Sequence, residues 1–252
     1  LYYIEEVTFM KKLKKILIRT LIGLTSLTLI LLIAITIYAS TSYTALEASN
    51  EAINTLETSN ITKTSSSRHI TLTVSNPKAN IVFVPGGLVE PDSYLYLATS
   101  LAVEGYNVTI FKPFFNLAIF TPNFAAKYLN EDLDNIVIGH SLGGVVASMF
   151  SSENDLVDKI IFMGSYPIQD LNDKDVLIIS AEHDIAMDEE AFNDSLTLVN
   201  DDTIQFMIDG GNHAQFGWYG PQKGDGDPEI STIAQQTIVI EQILLFIEGS
   251  VE

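Results

Sequence analysis

Five short, almost wholly apolar runs constrain this chain more than any other feature: 81–84 (IVFV), 108–111 (VTIF), 136–138 (IVI), 160–163 (IIFM) and 176–179 (VLII). A strand with one face in water alternates polar and apolar side chains. A run that is apolar at nearly every position suits a strand buried on both faces, as in a parallel sheet covered by helices. Helix-length segments at 93–104, 123–130 and 141–152 separate most of the runs. A helix at 188–199 precedes a further strand at 203–208, and a last helix is expected at 230–248. Upstream, 60–64 and 70–74 suit a β-hairpin at the edge of the sheet. Strands alternating with helices predict an α/β fold, mostly parallel and doubly wound, with right-handed crossovers and ligands beyond the carboxyl ends of the strands. With 47% hydrophobic residues, the 252-residue chain can close one packed core of this kind and is too short for two large domains.

A different kind of segment precedes that pattern. Residues 21–39 (LIGLTSLTLILLIAITIYA) carry no charge. As a helix rising about 1.5 Å per residue they would span roughly 30 Å, the hydrocarbon thickness of a bilayer. A cleaved signal peptide has an apolar region of only about 7 to 15 residues and a small-x-small cleavage site, so an uncleaved transmembrane anchor is expected. Lys11, Lys12, Lys14, Lys15 and Arg19 precede the stretch and the next basic residue is Lys63, which by the positive-inside rule puts the N-terminus in the cytoplasm and the rest of the chain outside. Met10 directly precedes the basic cluster, so residues 1–9 are open to being upstream reading frame. The expected organisation is a basic cytoplasmic segment at 1–19, an anchor at 20–39, a stalk or first helix at 40–59, and the α/β domain at 60–252.

The whole chain is formally at −19, and the part beyond residue 39 is at −22 because five of the 13 basic residues lie before it. That charge argues against nucleic acid as a partner. With no cysteine, a disulfide framework, a zinc–thiolate site and a cysteine nucleophile are excluded.

The chemistry gathers around Gly139-His140-Ser141-Leu142-Gly143-Gly144, which follows an expected strand and opens an expected helix. This context turns a G-x-S-x-G match into a nucleophile elbow. A serine on so sharp a turn needs neighbours without side chains, and the helix N-terminus favours developing negative charge. A serine hydroxyl also needs a base to take its proton and an acid to orient that base. Of four histidines, His69 lies in the edge hairpin, His140 is part of the elbow and His183 adjoins a candidate acid. His213 follows the expected strand at 203–208 and would emerge at the same sheet edge as Ser141, which makes it the expected base. Asp184 follows the run at 176–179 and is the first choice for the acid, with Glu182 and Asp188 in reserve. The chain order Ser, Asp, His is that of an α/β-hydrolase. For the oxyanion, one donor should be the N–H of Leu142 and the other an N–H in Pro85-Gly86-Gly87-Leu88, with Gly87 preferred and Leu88 open.

On these residues the sequence resembles the α/β-hydrolase superfamily, and more narrowly the small bacterial α/β-hydrolase-fold proteins near the dienelactone hydrolases. The resemblance runs from about Ile81 to Ile247 through VPGGLVEPDSY, EGYNV, IGHSLGG, the Asp184 loop and GGNHAQFGWYGPQKGDG. It implies Ser141 as nucleophile, Asp184 as acid and His213 as base. Dienelactone hydrolases proper use cysteine where this chain has Ser141, so their substrate is not carried over. Only about eleven residues separate the strand ending at Met163 from the next, so no large cap is expected. Leu88, Phe114, Phe115, Phe216, Trp218 and Tyr219 are then expected to shape the substrate pocket. The acidic run Asp225, Asp227, Glu229 lacks calcium-loop spacing, so no metal and no cofactor is expected. The resulting expectation is a membrane-anchored, carboxylesterase-like serine hydrolase acting on a small acyl substrate. An acyltransferase on the same fold, or a non-catalytic surface binding protein with a relic triad, would carry the same residues.

Overall fold

The computed structural model describes residues 2–249, so the first residue of the expected cytoplasmic segment and the last three of the expected α/β domain lie outside the described residues. The chain divides into two compact units, Leu1–Thr41 and Ser42–Glu252. The first holds one helix, α1 (Tyr2–Ala39). Its portion Val7–Ala39, with a mean hydropathy of 2.4 in its most apolar window, is long and apolar enough to cross a membrane. The hydroxyls of Thr25, Thr28 and Thr36 donate to carbonyls one turn back, at Leu21, Leu24 and Leu32. Such back-bonding leaves these hydroxyls with no donor to satisfy in an apolar medium.

The second unit opens with α2 (Glu47–Ile53), which packs on α3 (Leu95–Val103). The strands are β1 (Thr62–Ser65), β2 (His69–Thr73), β3 (Asn80–Val84), β4 (Asn107–Phe111), β5 (Asn135–His140), β6 (Lys159–Met163), β7 (Asp175–Ala181) and β8 (Ile204–Ile208). They form one eight-stranded sheet in the order β1-β2-β4-β3-β5-β6-β7-β8. The β1–β2 hairpin is antiparallel and pairs antiparallel to β4, while every other neighbouring pair is parallel. The expected edge hairpin and mostly parallel, doubly wound sheet are therefore present.

Both faces of the sheet are covered, which is why its central strands are apolar throughout. Side chains alternate across a strand, so Ile81 and Phe83 join Leu97 and Leu101 of α3 in one core layer, with Val239 and Ile243 of α6 (Thr232–Ile247). Val82 and Val84 enter the opposite layer with Val146, Ala147 and Phe150 of α4 (Leu142–Ser152). Ser231 caps α6 by accepting from Ala234 N–H, and Asp188 caps α5 (Glu189–Ser195) by accepting from Ala191 N–H. These caps explain why both helices begin later than the apolar pattern alone suggests.

The expected helix at 123–130 is instead a single 3-10 turn, Phe124–Tyr128. The apolar residues of 113–128 do not recur at a helical period. Phe124 and Ala125 point into the core while Ala126 and Lys127 are exposed, and three short 3-10 turns carry the segment along the edge of the sheet. No helix interrupts the link from β6 to β7, in keeping with the absence of a large cap. Strand order reverses at β3 and β5, since β4 lies on one side and β5 on the other. Such a switch point opens a crevice at the carboxyl ends of the strands. The loop after β3 and the turn after β5 both enter it.

Candidate active site

Ser141 sits between β5 and α4 at φ 53°, ψ −127°, a backbone conformation sparsely populated for a residue with a side chain. The turn survives because its surroundings hold it on both sides. Ser141 N–H donates to Met163 O at 3.1 Å, and its carbonyl accepts from Gly144 N–H and Ser165 Oγ, each at 2.9 Å. The flanking glycines are required by contact: a Cβ at Gly143 would collide with the carbonyls of Val84 and Pro85, and one at Gly139 with Gly144. Ser141 is half-buried, and its hydroxyl makes no hydrogen bond among the described residues.

His213 follows β8, and its Nδ1 lies 2.7 Å from Asp184 Oδ2, with 3% and 0% of the two side chains exposed. The second Asp184 oxygen accepts from the N–H groups of Ala186 and Met187 at 3.0 and 3.1 Å. A carboxylate held by these donors keeps its place and leaves Oδ2 for the imidazole. Gly164 connects this pair to the serine. A Cβ there would come within 2.9 Å of both Asp184 Oδ2 and His213 Nδ1, while its neighbours Met163 and Ser165 each bond the Ser141 backbone. The His213 ring also lies 4.7 Å from the ring of His140, the residue before Ser141. Three residues far apart in sequence thus gather around one short segment after β6.

The reserve acids are engaged elsewhere. Glu182 accepts from Gly210 N–H at 2.8 Å, and Asp188 caps α5. His69 bonds Ser66 and Tyr128, and His183 faces Glu229 at 3.5 Å.

Main-chain donors sort themselves around the elbow. Gly86 N–H donates to Tyr94 Oη at 3.0 Å and Leu88 N–H to Asn116 O at 2.8 Å. The N–H groups of Gly87 and Leu142 have no acceptor among the described residues. A Cβ at Gly87 would lie 2.8 Å from Leu142 Cδ2, so the two segments are in contact. Leu88, the open alternative, has spent its donor.

His140 and Tyr94 carry a link that the sequence did not reveal. Tyr94 Oη accepts from Gly86 N–H at 3.0 Å and is hydrogen-bonded to His140 Nδ1 at 2.8 Å. Burial, and next the charge of His213, hold the His140 pKa well below the ordinary histidine range, so this ring is neutral. Burial raises the phenol of Tyr94. Asp225 is a second unforeseen support: its carboxylate accepts from the N–H groups of His213 and Ala214 at 3.3 and 2.8 Å, fixing the backbone that carries the imidazole.

The aromatic residues expected in a pocket divide. Phe216 and Tyr219 are buried, their rings 5.6 and 6.4 Å from that of His140, and Trp218 packs edge-on against Tyr96. Phe216 and Tyr219 thus pack beside the elbow, and Trp218 is turned toward α3. Leu88 is half-buried and Phe115 exposed, and Phe114 lines a cavity of about 520 Å³ together with Arg68, Phe111, Thr121, Phe124 and Lys127. No group of three or more metal-ligating side chains occurs among the described residues.

A strained serine turn at the carboxyl edge of a mostly parallel sheet, with an antiparallel hairpin at one side, defines the α/β-hydrolase class of fold. The profile of the Alpha/beta hydrolase family matches residues 80–237, and the chain belongs to that family. Among solved structures, a predicted CIB-like hydrolase from Thermoplasma acidophilum is similar at 11% identity with a TM-score of 0.54, covering 73% of this chain and 98% of its own. Dienelactone hydrolase from Anabaena variabilis is similar at 15% identity with a TM-score of 0.53 and the same coverage. Mouse alpha/beta hydrolase domain-containing protein 10 is similar at 10% identity with a TM-score of 0.54, covering 76% of this chain and 99% of its own. At these identities the likeness is one of fold. No curated protein matches the sequence.

Proposed function

We propose that the protein is a membrane-anchored serine hydrolase that cleaves a carboxylic ester or related acyl compound through an acyl-enzyme. The observation that carries this reading is the sealed 2.7 Å hydrogen bond between His213 Nδ1 and Asp184 Oδ2, made against the segment that holds the Ser141 backbone. With Nδ1 occupied by Asp184, the imidazole has Nε2 left to accept the serine proton. Ser141 Oγ then forms its bond to the substrate carbonyl carbon, and the carbonyl oxygen becomes an oxyanion that accepts from Gly87 and Leu142 N–H. His213 passes its proton to the leaving alcohol as the ester bond breaks. Water repeats the sequence on the acyl-enzyme and regenerates Ser141. The basic residues before the apolar part of α1 support a cytoplasmic N-terminus and an extracytoplasmic catalytic unit.

The test is turnover of a short p-nitrophenyl ester by the full-length protein and by Ser141→Ala. Loss of turnover in a variant that keeps the parent's unfolding temperature supports the reading. Turnover persisting at the parent's rate would overturn it, and so would an inert, folded parent toward a panel of acyl esters and serine-directed reagents.

A further inference from the structure

In the unit that begins at Ser42, every phenylalanine in the exposed class among the described residues falls in one seven-residue stretch: Phe114 at 47%, Phe115 at 37% and Phe120 at 50%, with Ile119 at 40%. The other exposed large apolar side chains of the unit, such as Leu156, Ile185 and Met207, lie far apart in the sequence, whereas apolar side chains grouped in water mark a contact surface. The stretch is held in place. Phe115 and Asn116 sit at φ 57° and 53°, Leu117 N–H donates to Phe114 O at 3.0 Å, and Leu88 N–H donates to Asn116 O at 2.8 Å. Backbone in this region persists only where its surroundings over-determine it.

The rim beside it is basic in an otherwise acidic molecule. Arg68 stacks on the Phe114 ring at 3.4 Å, and Lys127 Nζ lies 4.9 Å over Tyr128. Neither has a carboxylate partner among the described residues, and the cavity they share with Phe111, Phe114 and Phe124 has no acid in its lining. The chain also enters the unit at this rim: Asn116 Nδ2 donates to Ser42 Oγ at 3.0 Å and Tyr43 N–H to Leu88 O at 2.7 Å, four residues after α1 ends.

We propose that the 114–120 stretch is a bilayer-contact surface through which the site takes its substrate, an amphiphilic ester resident in the membrane. Phe115, Ile119 and Phe120 enter the boundary between lipid headgroups and acyl chains, where aromatic side chains are favoured, and Arg68 and Lys127 meet lipid phosphates. The overall negative charge does not prevent this contact, because exposed charges are screened beyond about 10 Å at moderate salt and the anchor keeps the unit at the surface. The cavity behind Phe114, at about 520 Å³, offers an apolar wall and a basic mouth to such a molecule. The inference rests on reading α1 as an anchor and the elbow as an ester-cleaving site.

The test uses the full-length protein in vesicles of phosphatidylcholine and phosphatidylglycerol, with Phe120→Trp as a probe. Its emission should be blue-shifted and quenched by phosphatidylcholine brominated in the upper acyl chain, whereas the parent's Trp218, only 7% exposed, should be little affected. Emission typical of an indole in water and insensitive to bromine would overturn the proposal. In a second arm, Ile119→Ser with Phe120→Ser should lower turnover of a long-chain ester held in the vesicles severalfold and leave a short soluble ester unchanged. Equal effects on the two substrates, or none, would also overturn it. A parent that cleaves neither ester refutes the hydrolase reading itself, and the quenching arm still decides the membrane contact.

Discussion

Tyr94→Phe removes one oxygen and tests the link between the elbow and the loop proposed to supply an oxyanion donor. Tyr94 is 1% exposed, and its hydroxyl both accepts from Gly86 N–H at 3.0 Å and shares a hydrogen bond with His140 Nδ1 at 2.8 Å. The ring contacts with Phe83 and His140, at 4.7 and 5.8 Å between centroids, survive the substitution, so no cavity term applies. What remains is two buried polar groups without partners. At about 1–3 kcal/mol for each unsatisfied group, the cost is about 2–6 kcal/mol. For a unit of this size about 2–4 °C of Tm is lost per kcal/mol, which gives a fall of roughly 4–24 °C. Catalysis should suffer separately, because Gly86 no longer fixes the Gly87 N–H. Complete loss of one oxyanion donor costs about 10²–10³ in kcat, so a displaced donor should cost up to about 100-fold with KM nearly unchanged. Thermal unfolding and Michaelis kinetics on a short p-nitrophenyl ester read both effects. A variant with the parent's Tm and kcat would refute the reasoning, and a lowered Tm with unchanged kcat would confine the hydroxyl to a structural role.

His140 predicts a pH dependence. Its pKa is held well below the ordinary value of 6.5, so below that pH the unfolded chain binds a proton that the native state refuses; stability present above pH 6.5 is lost as pH falls, by up to about 1.4 kcal/mol per unit. Urea unfolding at pH 7, 6 and 5 should show a steeper loss for the parent than for His140→Gln, and parallel curves would contradict this. Gly164→Ala places a methyl against Asp184 and His213 at φ 50°; the resulting misplacement should lower kcat by about 100-fold, and a variant of parental rate would remove Gly164 from the account. Asp225→Ala frees the N–H groups of His213 and Ala214; at about 1–3 kcal/mol for each unsatisfied donor, a loss of about 2–6 kcal/mol is expected in denaturant unfolding. Asp184→Asn should keep the fold and lower kcat by about 10⁴, as loss of the orienting carboxylate does in a serine triad.

Much of this molecule was legible from apolar pattern because its central strands are buried on both faces. Ile81 through Val84 and Ile136 through Ile138 have no solvent side to alternate toward, and the runs mark them directly. The elbow was legible for a related reason: close packing of the turn on Val84 and Pro85 forces glycine at 143, leaving a signature in the sequence. Asp184 and His213 each follow a strand, so strand assignment alone placed them on one edge. Other features are set by distant neighbours. Tyr94 and His140 are 46 residues apart and meet only once β3 and β5 lie side by side. The helix expected at 123–130 failed because Phe124 is drawn into the core to stack on Phe111, their centroids 3.7 Å apart, leaving only one turn. Phe216, Trp218 and Tyr219 looked like pocket residues because aromatics serve both cavities and cores, and the loop after His213 folds inward. Exposure of Phe114, Phe115 and Phe120 was invisible for the converse reason: sequence alone gives an apolar loop no address.

The most direct test of the central claim is to locate the adduct left by a fluorophosphonate on the folded, full-length protein by peptide mass spectrometry, in the parent and in His213→Ala. The account predicts one adduct, on Ser141 Oγ, formed rapidly in the parent and greatly slowed in the variant. An adduct on another residue, or labelling of Ser141 at the same rate without His213, would contradict it.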